Sequence, residues 1–333
     1  MDFQTIVDIK KSNINLNHSK GVVLLGSCFA DNIGIFLKEA KFHVLSNPFG
    51  TLYNPMSIAW QIERCLSGEI FTNESEEIFQ DGEIFHSWMH HTTFSADSRD
   101  AIVKNMNAAL KQTQNTLQTA GTLIITFGTS IIYQLKSDGR LVANCHKQKD
   151  SLFVRKMLAT DEISEKWTVL CQKLHTFNPN LQIIFTVSPI RHKRDGFHTN
   201  QLSKATLLLA TENITESLKD TLNSDYFPSY EIMMDELRDY RFYADDMIHP
   251  SAVAVKHIWE RFTDTYISKD DMSVIKQCMN IRNGLNHRTD NPDSAAYKQF
   301  ITTIQQDIIK LKNRYPYLDM DEESELCSTI LKK

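Results

Sequence analysis

The chain has 333 residues, 41% hydrophobic and 23% charged, which gives enough apolar material for a sizeable core and excludes a disordered chain. A net charge of -5 and a pI near 6.2 exclude a general nucleic-acid surface, which needs a basic excess. Residues 1–21 hold no apolar leader, no stretch reaches the roughly 18 apolar residues of a membrane span, and the six cysteines form no Cys-x-x-Cys pair. A soluble, cytoplasmic protein with reduced thiols, no cofactor and no membrane partner is expected.

VVLLG (22–26) is a short apolar run of the kind that forms a strand buried on both faces. Phe29, Ile33, Phe36, Leu37 and Ala40 then recur at helical spacing, so a helix follows at once. FHVLS (42–46) reads as a second strand, closed by the breakers of NPFGTLYNP (47–55). Pro55 can open a helix through 56–66, and the aromatic segment 69–98 reads as short strands and loops. A helix is predicted over 101–120, a buried strand over 122–128 (TLIITFG), a helix over 160–176, a strand over 182–189 (QIIFTVSP) and a long helix over 201–222. This alternation favours a three-layer α/β/α domain around a parallel sheet, over residues 1–252.

Beyond residue 251 the strand signals stop. Tyr297, Phe300, Ile301, Ile304, Ile308 and Leu311 form one helical stripe, which predicts a helical C-terminal extension over 253–333 with that stripe as core.

In an open parallel sheet, ligands sit beyond the carboxyl ends of the strands. Gly26-Ser27-Cys28, the loop Asn47-Pro48-Phe49-Gly50 and Gly128-Thr129-Ser130 all fall there. A strand that turns through Gly into a helix lifts the next side chain and aims free N–H groups at a developing anion. Ser27 is therefore either a nucleophile or a plain helix N-cap. A nucleophilic serine needs a base, and the base an orienter. In FYADDMIHPS (242–251), Asp246 and His249 stand three apart, close enough for the carboxylate to fix the imidazole.

Other side chains carry weaker signals. His86, His90 and His91 lack a further ligand at metal spacing, so structural or substrate-lining roles are expected. His146 and Lys147 close VANCHK (142–147) and are pocket candidates. Arg191, His192, Lys193 and Arg194 form a basic cluster that either attracts an anionic substrate or lies solvated. Trp60, Trp88 and Phe49 suit either sugar stacking or core. No phosphate-loop or dinucleotide motif is present.

The order of these blocks resembles the SGNH (GDSL-like) hydrolases. More narrowly, "GSCFA" at 26–30 is similar to the signature of the bacterial GSCFA family. NPFGTLYNP, ITFGTS, VANCHK, TVSPIRH and DDMIHPS look like that family's other blocks. The resemblance covers about residues 20–252. It implies an SGNH-like, flavodoxin-like fold and an esterase or acylhydrolase acting through an acyl-enzyme on a small-molecule or glycan ester. Ser27 would be the nucleophile, His249 the base and Asp246 its orienter. The N–H of Gly50 and that of the nucleophile would hold the oxyanion. The superfamily's Gly-x-Asn-Asp is replaced here by Gly128-Thr129-Ser130-Ile131, which leaves Ser130 or Asn144 as the side-chain donor. A gapless match to Gly-Asp-Ser puts Cys28, not Ser27, at the nucleophile position. Ser27 is favoured because the family is grouped with serine hydrolases. The missing Asn also keeps open a binding or scaffold protein that has lost efficient catalysis.

Overall fold

The computed structural model describes residues 5–287, 289 and 291–332. The chain opens with β1 (Val22–Gly26), α1 (Cys28–Glu39), β2 (Val44–Ser46) and α2 (Pro55–Ser67). A hairpin, β3 (Ile78–Asp81) and β4 (Ile84–Ser87), precedes α3 (Arg99–Thr119) and β5 (Thr122–Phe127). Next come β6 (Ile131–Leu135), β7 (Leu141–Val142) and β8 (Phe153–Met157), then α4 (Thr160–Phe177), β9 (Gln182–Val187) and α5 (Phe197–Leu218). β10 (Ser224–Phe227), a one-turn α6 (Ser229–Glu231) and α7 (Ala252–Tyr266) complete the α/β part. α8 (Lys269–Leu285), α9 (Ala295–Arg314) and α10 (Asp321–Lys332) follow.

Five strands form one parallel sheet in the order β10-β9-β5-β1-β2. The architecture is mixed α/β, with a parallel core sheet and C-terminal helices. Alternate strand residues feed opposite cores. Val23, Leu25, Leu123, Ile125, Ile183 and Phe185 pack with α2, α3, α4 and α5. Val22, Leu24, Ile124, Ile184 and Phe227 pack with α1 and α7. A strand with apolar side chains on both faces must be covered twice, which explains the unbroken VVLLG and TLIITF runs.

The structure differs from the sequence expectation in several places. β2 is three residues rather than five, and its residues are half-buried because it lies at a sheet edge. β10 gave no apolar run; its sequence is SDYF, and Asp225 bonds Tyr266 and the Tyr226 backbone. The antiparallel sheet β7-β6-β8 was not predicted; VANCHK enters it only through Val142, the last residue of β7. The long helix runs over Phe197–Leu218, four residues earlier than its pattern suggested at both ends. In α9, Ile301, Ile304, Ile308 and Leu311 are buried in a separate core with α8 and α10, whereas Phe300 is exposed. The expected boundary at 252/253 falls at the start of α7, and α7 packs into the sheet's second core.

Candidate active site

The turn after β1 is fixed by backbone constraints. Gly26 has φ +141, and a Cβ there would lie 2.1 Å from the Thr126 carbonyl oxygen on β5. Only glycine fits. Its N–H donates to Asn47 Oδ1 at 2.9 Å, and its carbonyl accepts from Leu52 N at 2.9 Å. The NPFG loop therefore braces the end of β1. Ser27 follows as the N-cap of α1; its N–H donates to Thr126 O at 3.1 Å and its Oγ accepts from Phe29 N at 3.3 Å. Ser27 is 1% exposed. Cys28, the first helical residue, is half-buried. Burial first, and then the Asp31 carboxylate, push its thiol above the usual range, so the helix end does not make it a ready thiolate.

The imidazole comes from a different kind of element. Residues 244–249 form a tight loop closed by Ala244 N to His249 O at 2.8 Å and Met247 N to Ala244 O at 2.9 Å. Met247 takes a left-handed φ of +57 to make the turn. The Asp246 carboxylate accepts from the N–H groups of Ile248 and His249, each at 2.9 Å, and contacts His249 Nδ1 at 2.6 Å. Those bonds, the His249 backbone N–H foremost, hold the Asp246 carboxyl down at about 2. An ionised Asp246 fixes His249 with its proton on Nδ1, which leaves Nε2 as the basic nitrogen. Both side chains are about half exposed.

Ser27, Cys28 and His249 line one cleft of about 380 Å³ at the carboxyl ends of the parallel strands. Tyr53, Thr129, Ser188 and the four residues Arg191 to Arg194 complete much of its wall. Ser27 and His249 face this cleft without a hydrogen bond between them. Asp246 stands behind His249 rather than on the lining.

The remaining candidates are engaged elsewhere. Gly50 donates its N–H to Asn47 O at 2.8 Å, which removes it as a free oxyanion donor; its left-handed φ of +77 permits close approach to His91. Ser130 is fully buried, with N and Oγ both on Ser203 Oγ at 2.7 and 3.1 Å. Asn144 Nδ2 contacts Thr92 Oγ1 at 3.3 Å, and its Oδ1 holds the His146 N–H at 2.9 Å. His146 is buried, with Nε2 at 2.7 Å from the Ser87 carbonyl and its ring 4.8 Å from that of His86. None of these four lies on the cleft lining. Gly128 and Thr129 also spend their N–H groups, both on Tyr53 O.

His90 is buried against Ser87 Oγ at 2.8 Å, and burial pushes it down to about 3, so it is neutral. Among the described residues no cluster of three His, Cys, Asp or Glu could hold a metal. Phe49 and Trp88 are buried away from the cleft. Arg191 to Arg194 do reach it. Arg191 donates to Met247 O at 2.6 Å and lies over the rings of Phe197 and Tyr243, while Arg194 pairs with Asp150.

Two contributors were not anticipated. Tyr53 lies inside NPFGTLYNP but had no chemical pattern of its own. Lys204 did leave a signal: with Leu207, Thr211, Ile214 and Leu218 it follows the helical spacing of the buried face of α5. It is 1% exposed, and Nζ donates to the carbonyls of Gly128 at 2.7 Å and Ser188 at 2.6 Å.

A parallel α/β fold with a Ser-Cys turn and an Asp-held imidazole on one cleft describes the site. The GSCFA family model matches residues 21–262, and that of the GSCFA domain protein, C-terminal domain, matches residues 278–333. The chain belongs to the GSCFA family. No curated protein sequence matches it. Among solved structures it is similar to an acetyl xylan esterase from the rumen bacterium Butyrivibrio proteoclasticus, at 11% identity and a TM-score of 0.36; the match covers 75% of this chain and 63% of that one. A Clostridium thermocellum family 3 carbohydrate esterase matches at 9% identity and a TM-score of 0.33, over 77% of this chain and 97% of that one.

Proposed function

We propose that the protein is an SGNH-like ester hydrolase that works through an acyl-enzyme. One observation carries the reading. The β1–α1 turn and an imidazole whose Nδ1 is held by a carboxylate open onto the same cleft, beyond the strand ends where α/β ligands bind. Ser27 Oγ attacks the ester carbonyl and passes its proton to His249 Nε2. The Cys28 N–H, in the first turn of α1 where amides lack helical acceptors, faces the developing oxyanion. The imidazolium returns the proton to the leaving alcohol, and water then cleaves the acyl-serine with His249 as base. To attack, Ser27 must release the Phe29 N–H, a cap bond of about 1 kcal/mol. A small-molecule or glycan ester fits the open, aromatic-walled cleft.

A second reading rests on exposure. Cys28 is the more open of the two side chains, and Ser27 is already used as a cap. In that reading the Cys28 thiolate attacks and Ser27 only shapes the helix end. The raised thiol opposes it, because few thiolates then exist at neutral pH.

Hydrolysis of p-nitrophenyl acetate tests both. Ser27→Ala should lower kcat by at least ~10³, while Cys28→Ala, which keeps the backbone amide, should retain most of it. The reverse pattern moves the nucleophile to Cys28. A folded wild type that hydrolyses none of a panel of short-chain esters would leave a binding role for this cleft.

A further inference from the structure

The ammonium of Lys204 is the least expected charge in the molecule. It sits on α5 beneath the cleft and has no carboxylate within ion-pair distance among the described residues. Its partners are backbone carbonyls, Gly128 at the exit of β5 and Ser188 at the exit of β9. Its ring neighbour is Tyr230, with Nζ 5.6 Å from the ring centroid. Burying an ammonium without a counter-ion is costly, and an apolar residue on this stripe would avoid that cost.

The two carbonyls belong to two loops that both line the cleft. Thr129 lines it directly after Gly128, and Ser188 lines it itself. One side chain therefore ties the exits of two neighbouring strands together below the site. We infer that Lys204 is a positioning residue for the acyl-transfer cleft, clamping these two strand exits and placing a buried ammonium under the turn where an oxyanion develops. The inference rests on the proposed acyl chemistry and extends it to a residue outside the Ser-His-Asp set.

The charged and titratable groups facing Lys204 come from three elements. Cys28 lies on α1, His192 on the loop after β9 and Tyr230 after β10. Burial, and then the Lys204 charge, push His192 down to about 4, so it is neutral at pH 7. The Cys28 thiol and the Tyr230 phenol are both raised by burial. Lys204 itself is pushed down by burial to about 7. Of these four groups it is the one whose charge changes as the pH rises through about 7.

That gives a signature a structural clamp would not produce. The unfolded chain binds the lysine proton up to about 10.5 and the folded chain only to about 7. Between those values the unfolded state holds more protons, so stability rises with pH. Activity should fall over the same range, because the charge under the site is lost. Stability and turnover should therefore move in opposite directions.

The test measures p-nitrophenyl acetate hydrolysis from pH 5 to 10 in wild type, Ser27→Ala, Lys204→Met and Lys204→Arg, with urea unfolding of each at pH 6.5 and 9. Wild-type kcat should fall above about pH 7 while the unfolding midpoint rises. Lys204→Met should lose at least ~10² in kcat at pH 6.5 with KM within about threefold, as expected for misplacement near an ångström, and should lose the alkaline fall. Lys204→Arg keeps a charge that does not titrate and should be flat above pH 7. A wild-type kcat that is level from pH 7 to 9, or a folded Lys204→Met within threefold of wild type, overturns the inference and leaves the acyl-transfer reading intact. If Lys204→Met does not fold, the wild-type profile decides alone. A wild type no faster than Ser27→Ala at every pH overturns the acyl-transfer reading and this inference with it.

Discussion

On one side of the cleft, Ser27 follows a strand buried along its whole length, between a glycine that admits no Cβ and a helix it caps. On the other side, Asp246 and His249 stand half exposed on a loop whose order comes from its own hydrogen bonds. The first side depends on the global fold: moving it means moving β5. The second is a local device, in which one carboxylate fixes two backbone amides and an imidazole. Damage to the backbone of the first should therefore appear as loss of folding, and damage to the second as loss of chemistry in a folded protein.

Gly26→Ala should have the largest effect. The added carbon meets the Thr126 carbonyl at 2.1 Å, and neither backbone can yield. A loss of at least about 3 kcal/mol in urea unfolding, or no soluble protein, is expected. A stable Gly26→Ala would mean that the two strand ends are not locked together.

Asp246→Asn should separate the two sides most cleanly. The amide keeps the shape but can hold the wrong imidazole tautomer, so kcat should drop by at least ~10². The melting temperature should barely change, because solvent screens an exposed Asp–His pair. Since the Asp246 carboxyl is held at about 2, it stays ionised throughout any assay above pH 4. The acid limb of the activity profile should then carry no contribution from Asp246. Wild-type kcat in Asp246→Asn would make this pair a surface contact, and Asp245 the next residue to substitute.

Met247→Gly should have the smallest effect. Glycine relieves the left-handed φ of +57 but loosens the unfolded chain, two terms of similar size. Stability should shift by less than about 1 kcal/mol, with kcat within a few-fold. A large loss of activity would show that the Met247 side chain, and not the turn alone, holds His249 in place.

The same contrast explains what could be read from the sequence. Strands buried on both faces announce themselves as apolar runs, so β1, β5 and β9 were legible. β10 was not, because SDYF spends its side chains on hydrogen bonds and edge packing. Asp246 and His249 were legible as a pair because their contact is local. Gly50, Ser130, Asn144 and His146 were chosen by block position. Sequence position gives no account of where an N–H or an amide is already bonded, and all four are bonded away from the cleft. Lys204 was hidden for the opposite reason. A lysine in a helix reads as solvated unless its place on the apolar stripe is given weight.

The central claim is that Ser27 and His249 act together in one acyl-transfer cleft. Peptide mapping by mass spectrometry, after exposure of the folded protein to a small fluorophosphonate, tests it most directly. A single phosphonyl group on Ser27, formed in wild type and at least ~10² more slowly in His249→Ala, is the expected result. An adduct on Cys28, or no adduct on either residue in a protein that still hydrolyses the ester, would contradict it.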